Sequence, residues 1–213
     1  MNDLKRAGGY AGLAAALTYI FGMVLMFALL LPAGYDSEAS QVEFAVANTG
    51  LLTIWNVVIY PVNAVALIIL ALALGDQLKP ATPGLARLSV AHGLIWAALV
   101  FAAGMAMIVG LRSAAAAHGT DPEAAARIFE VSQLIELGIG GGVELAGGIW
   151  VLYISVAALR GQTLPRLLAL FGFVLGLCGA LTLIPALEPV VAPVFGLGFI
   201  LWFAWAGLVL LRR

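Results

Sequence analysis

Two carboxylates stand in surroundings where carboxylates are rare. Glu136 and Glu144 lie in the apolar stretch Phe129–Leu159. At about 100° per residue, Gln133, Glu136, Gly140, Glu144 and Gly147 fall within roughly 80° of one another on a helix. Glu130 sits at the edge of the same stripe. A polar or ionisable group at membrane depth is costly unless partnered, and therefore points to a packing or functional reason. A carboxyl that gains and loses a proton at such depth is what a proton relay or a cation site needs.

Partners for these carboxylates stand in an earlier apolar stretch. Asn56, Tyr60 and Asn63 share a helical face at i, i+4 and i+7, with Thr53 alongside. Pro61 interrupts the same helix and frees a backbone carbonyl. A rise of about 1.5 Å per residue puts Asn63 at the depth of Glu144 and the other two near Glu136, ~12 Å further out. If the two stretches pack together, the amides and the phenol can bond the carboxylates. Buried Glu–Asn pairs can equally be plain helix-to-helix packing, and both readings stay open.

The glycines of Gly138-Ile-Gly-Gly-Gly142 and Gly147-Gly148 surround Glu144. Gly138 and Gly142 form a Gly-x-x-x-Gly pair, which lets another helix approach closely. Each glycine also weakens the helix by roughly 1 kcal/mol against alanine. A tight packing seam is the favoured expectation, and local unwinding beside a cavity is the alternative. No strand or Walker lysine accompanies the glycines, so they do not form a phosphate loop.

Other reactive residues are sparse. His92 is a weaker candidate for a base, since a histidine bonding near the interface beside Ser89 accounts for it more simply. His118 lies near Asp121 and Glu123, yet a metal site built from one chain's two histidines is not expected. Cys178 is the single cysteine, which excludes an internal disulfide and cysteine metal motifs. Neither Gly-x-Ser-x-Gly nor His-Glu-x-x-His occurs. No cofactor is implied.

The elements that must position these residues are membrane helices. Hydrophobic residues make up 63% of the 213-residue chain and charged residues 10%. Its mean hydropathy is +1.10. A soluble domain carries about a quarter charged residues. Six stretches reach the ~20 apolar residues that a crossing needs. They are Gly8–Leu31, Leu51–Leu74, Leu88–Leu111, Phe129–Leu159, Leu167–Leu187 and Pro193–Leu211. The expected fold is an all-α, six-transmembrane-helix bundle forming a single membrane domain over residues 1–213. The first stretch is longer than the ~7–15 residues of a signal-peptide core, so cleavage is not expected.

Basic residues orient the bundle. With the N-terminus inside, Lys5, Arg6, Lys79, Arg87, Arg160, Arg166, Arg212 and Arg213 fall inside, and only Arg112 and Arg127 fall outside. Both termini are then cytoplasmic. The net charge of −1 and the lack of a basic stripe give no reason to expect nucleic acid. In the outer loops, Ser40-Gln-Val-Glu43 and Thr120-Asp-Pro-Glu123 fit capping boxes that start short helices. The five tryptophans read as interfacial anchors and packing. The loops after the second and fourth stretches look alike, each turning on basic and proline residues into Leu/Ala.

Three segments resemble the bacterial six-span membrane family catalogued as domain of unknown function 4386. They are Arg6-Ala-Gly-Gly-Tyr10 with Gly12-Leu13, and Leu78-Lys-Pro80 followed by Leu85-Ala. The third and most specific runs from Glu144 through Gly148, Trp150 and Arg160 to Pro165-Arg166. Tyr153 and Ser155 depart from the family's proline and glycine, which implies a straighter fourth span here. The resemblance implies six spans, a bacterial inner membrane and a marked Glu144, but no activity.

The function expected from the residues is a carrier or channel-like protein for a small solute or cation. Its polar site would lie between spans two and four: Glu144, Glu136, Gln133, Asn63, Tyr60 and Asn56. Beyond the lipid bilayer, its partners would be that solute and a second copy or another membrane protein. The second reading is a non-catalytic subunit or homo-oligomeric scaffold packing through Gly-rich faces, including Gly172-x-x-x-Gly176. The third is a lipid-modifying intramembrane enzyme with Glu144 or His92 as base.

Overall fold

The computed structural model describes residues 2–33, 35, 38–141 and 144–212. The expectations for Gly34, Asp36, Gly142 and Arg213 fall outside these residues. The described residues form α-helices joined by short turns and hold no strand. In chain order they are α1 (Asn2–Leu25), α2 (Glu38–Ala47), α3 (Thr49–Val57), α4 (Asn63–Leu78) and α5 (Pro83–His118). Then come α6 (Pro122–Glu136), α7 (Leu145–Gly161), α8 (Arg166–Leu181) and α9 (Glu188–Arg212).

Four helical segments are long and apolar enough to cross a membrane: Asp3–Ala33, Thr49–Leu78, Pro83–His118 and Glu188–Arg212. Leu145–Gly161 and Arg166–Leu181 are apolar but shorter. The exterior is apolar as well, with Leu17, Phe27, Leu167, Val190 and Leu201 exposed. A surface of this kind needs lipid rather than water around it.

The core grows from one stripe of α9. Phe195, Phe199, Trp202 and Phe203 recur at helical spacing, so all four point inward and are fully buried. Trp96 from α5 and Trp150 from α7 pack among them, with ring centroids 5.3 Å apart. Trp96 also meets Phe199 at 5.6 Å. Trp96, Trp150 and Trp202 are therefore core residues and not interfacial anchors. Trp205 alone of the buried-core helix's two tryptophans reaches the surface, at 37% exposure.

Small residues let the helices close on one another, as membrane packing requires. A Cβ on Gly12 of α1 would come 2.9 Å from the Gly207 Cα of α9. One on Gly148 of α7 would come 2.9 Å from the Gly176 carbonyl oxygen and the Ala180 nitrogen of α8. The glycine seam of α7 is thus Gly147-Gly148. Among the described residues Gly138 has no neighbour within 4 Å of a Cβ and no part in a seam. Gly172 and Gly176 face α7 and α9 residues within this chain, namely Ser155, Trp202 and Leu152.

Three helical runs contain a wider π turn: Met26–Leu30, Val58–Val62 and Leu137–Gly141. Pro61 accounts for the second, since it has no amide hydrogen for the regular ladder. The expected fourth span does not run as one α-helix. α6 ends at Glu136, the π turn follows, and α7 starts at Leu145 with Glu144 in a turn conformation before it. The glycines there provide too little helix propensity to hold the run together. α7 itself continues unbroken through Tyr153 and Ser155.

The α4–α5 and α7–α8 hairpins share a plan. A π turn precedes the first helix of each, and connectors of equal length, residues 79–82 and 162–165, join the pair.

Four boundaries depart from expectation. The fifth stretch stops being α-helical at Leu181, where the Thr182 hydroxyl bonds the Gly179 carbonyl at 2.7 Å and Pro185 follows. α9 starts at Glu188, so Pro193 lies inside it. α2 already begins at Glu38, which puts Ser40 in its first turn and not at its cap. The cap of α6 is Asp121, which accepts from the Ala124 amide at 2.8 Å, while Thr120 bonds back to the Ala117 carbonyl. Glu123 pairs with Arg127 at 3.5 Å instead of closing a capping box.

Candidate functional site

The interruptions in the helices meet around one cavity. It holds about 260 Å³. α1 contributes Tyr19, Gly22 and Met23, and the π turn after it adds Met26 and Phe27. α3 and its π turn supply Trp55, Ile59 and Tyr60, and the first residue of α4 is Asn63. Trp96 and Val100 of α5 and Glu144 complete the lining. π turns are frequent at functional sites because they displace side chains from the regular helical register. Here two of them feed side chains into the cavity, and the third separates Glu136 from Glu144.

Glu144 is half-buried and lines this cavity. Its backbone is pinned on the other side. The Glu144 amide donates to the Thr182 hydroxyl at 3.1 Å, and its carbonyl accepts from Gly148 at 2.9 Å. The end of α8 therefore fixes where α7 starts, and with it where the carboxylate sits. Asn63 is 2% exposed, yet its side-chain oxygen has no hydrogen-bond partner among the described residues. Buried polar atoms are nearly always satisfied, and the indole N–H groups of Trp150 and Trp202 share this unpartnered state among the described residues. Trp55 bonds the Gly22 carbonyl at 3.2 Å and ties α3 to α1 at the cavity wall.

Glu136 stands behind Tyr60. The Tyr60 hydroxyl donates to Glu136 Oε1, which links that carboxylate to a cavity-lining side chain. Tyr35, buried between α1 and α2, adds a second phenol to this region. Burial pushes its pKa up to about 12, and the charge of Glu136 adds to the rise. Neither Glu136 nor Glu144 has an ion pair among the described residues, and no described Lys or Arg lines the cavity.

The structure thus brings Glu144, Tyr60 and Asn63 together, with Glu136 one hydrogen bond away. Three expected site residues are placed elsewhere. Asn56 is buried, but its amide turns back to its own helix at the Leu52 carbonyl, 2.8 Å away. The displaced register after Val57 explains this, because Asn56 precedes the π turn and Asn63 follows it. Gln133 bonds Gln41 of α2 at 3.4 Å. His92 packs edge-on against Tyr153 of α7, with centroids 5.7 Å apart, and does not line the cavity. His118 is half-buried with an unpartnered Nδ1, and no three metal-ligating side chains gather among the described residues.

Tyr19, Trp96 and Thr182 were not among the expected site residues. Thr18-Tyr19 is the polar interruption in the middle of the first apolar stretch, which is a readable signal. Trp96 carries no such signal, because a tryptophan in an apolar run reads equally as packing.

These features define a helical membrane protein whose broken helices hold a half-buried carboxylate at a partly open cavity. The chain belongs to the family described as domain of unknown function (DUF4386), which it matches over residues 7–212. No curated protein and no solved structure matches it.

Proposed function

We propose that this protein crosses the bacterial cytoplasmic membrane six times, with both ends inside, and carries or conducts a small solute or cation through the Glu144 cavity. The observation that carries the reading is the cavity itself, which Glu144 and the buried Asn63 both line. Keeping a carboxylate at the bilayer centre costs about 2.5–3.5 kcal/mol on insertion scales, which packing alone gives little reason to retain. Glu136 and Tyr60 extend the polar path from the cavity toward the outer end.

Six crossings follow if α7 and α8 also span. At about 1.5 Å per residue α8 is ~24 Å long, a few Å short of a ~30 Å core. The turn at Thr182–Leu187 or local bilayer thinning makes up the difference. The eight-to-two distribution of basic residues supports cytoplasmic ends. Reporter fusions after residues 80, 120 and 212 test this, and an external reporter at 212 contradicts it.

The scaffold reading loses support, because Gly172 and Gly176 are engaged inside the chain. The enzyme reading loses His92 as a base acting at the cavity. The transport reading is tested by reconstituting the protein in liposomes and following cation entry with pH- and potential-sensitive dyes. Glu144→Gln is expected to lower the protein-dependent rate at least about tenfold, the effect of ~1.4 kcal/mol. Equal rates for the two proteins refute it.

A further inference from the structure

We propose that the cavity takes an organic ammonium ion with an apolar body. The inference rests on the transport reading and names the class of substrate. Five aromatic side chains, Tyr19, Trp55, Tyr60, Trp96 and Phe27 at the rim, line the cavity together with the carboxylate of Glu144. Aromatic rings attract cations through the negative potential of their faces, and cages of such rings are how quaternary ammonium groups are recognised. A nearby carboxylate supplies the compensating charge.

The rest of the lining excludes the simplest alternatives. A hard metal ion such as Ca²⁺ takes about six to eight oxygen ligands. The side chains here offer one carboxylate, one amide and two phenols among apolar groups. Met23 and Met26 are thioethers, which adapt to irregular apolar surfaces and contact aromatic groups well. An anion meets a carboxylate and no described basic residue. The volume of about 260 Å³ equals roughly eight or nine waters at ~30 Å³ each, which suits a small organic molecule better than a bare ion. The Asn63 amide lines the cavity and offers the guest's polar groups a hydrogen-bond partner.

Phe27, at 66% exposure, lies at the cavity's rim on the lipid-facing surface. The ammonium group can therefore arrive on a soluble molecule or on a lipid headgroup, and both carry the same chemistry.

The test uses the full chain in nanodiscs of phosphatidylglycerol, which bears no ammonium. Tryptophan fluorescence follows binding, since Trp55 and Trp96 line the cavity. Benzyltrimethylammonium is the primary probe. Choline is compared with its uncharged carbon isostere, in which a tert-butyl group replaces trimethylammonium. Saturable binding of benzyltrimethylammonium is expected, with choline at least about tenfold tighter than the isostere. Glu144→Gln is expected to abolish that preference while leaving the isostere's weak affinity unchanged. Trp55→Leu, at the half-buried wall, is expected to weaken both charged probes. Loss of binding when phosphatidylcholine is added to the discs assigns the ammonium to a lipid, and unchanged binding assigns it to a soluble cation.

Equal affinity for choline and isostere, or an undiminished preference in Glu144→Gln, overturns the proposal. The two readings fail separately. Glu144-dependent flux without charge preference removes the ligand class and leaves transport standing. Charge-selective binding with Glu144-independent flux does the reverse.

Discussion

Replacing Asn63 by leucine should make the ligand-free protein more stable, contrary to the usual effect of mutating a buried residue. Asn63 is 2% exposed and its side-chain oxygen has no partner among the described residues. A buried, unsatisfied polar group costs about 1–3 kcal/mol. Leucine keeps the branching of asparagine but is larger, and the adjoining cavity can take the added volume, so repacking is expected to cost less than about 1.5 kcal/mol. The expected balance is a gain of roughly 1–2 kcal/mol. For a chain of this size, at about 2–4 °C per kcal/mol, the unfolding midpoint rises by ~2–8 °C. The measurement is thermal unfolding of the purified protein in mild detergent, followed by near-ultraviolet circular dichroism. Adding choline, whose hydroxyl can bond the Asn63 amide, should then reverse the order. A ligand at a hundred times its Kd stabilises the native state by about 2.7 kcal/mol, and only the protein that keeps Asn63 should gain it in full. A lower midpoint for Asn63→Leu without ligand refutes the reasoning, because it shows the amide to be satisfied in the resting protein.

Two further pairs of substitutions separate the observed packing and capping from the alternatives. Gly148→Ala drives a methyl group against backbone atoms of α8 and should destabilise by roughly 1–3 kcal/mol. Gly138→Ala enters open space and should leave the midpoint unchanged or raise it by up to ~1 kcal/mol. Equal losses at both positions would place Gly138 in a packed seam after all. At the start of α6, Asp121→Ala should cost about 0.5–2 kcal/mol through the lost bond to the Ala124 amide. Thr120→Ala should stay within about 0.5 kcal/mol. Hydrogen exchange at Glu123 and Ala124 reads this locally, and faster exchange in Thr120→Ala alone would restore the threonine as the cap.

How far the site could be read from the chain depends on what each residue's signal measures. Hydropathy reports how much apolar side chain a stretch carries, and it found the long helices because length and composition decide whether a helix suits lipid. Helical spacing reports which residues share a face, but only while the helix stays regular. Glu136 and Glu144 were placed on one stripe by assuming a continuous α-helix, and the π turn at Leu137–Gly141 and the turn conformation of Glu144 break that assumption. They still belong to one site, since Tyr60 joins Glu136 to the cavity that Glu144 lines. Asn56 and Asn63 show the opposite outcome. They share a face on paper, and the π turn at Pro61 rotates one into the cavity and leaves the other on its own backbone. The proline was visible, but the size and sense of the rotation depend on what packs against it. Gly138 and Gly148 carry the same residue type with opposite roles, one open and one in contact with another backbone. A glycine states only that close approach is permitted, and the neighbouring helix decides whether it happens. Trp96 shows the same dependence on neighbours, because its place at the cavity comes from α7 and α9 closing around it. Residues whose own chemistry was unusual for their surroundings, Glu144, Tyr60 and Asn63, were therefore legible. Residues whose roles come from tertiary neighbours were not.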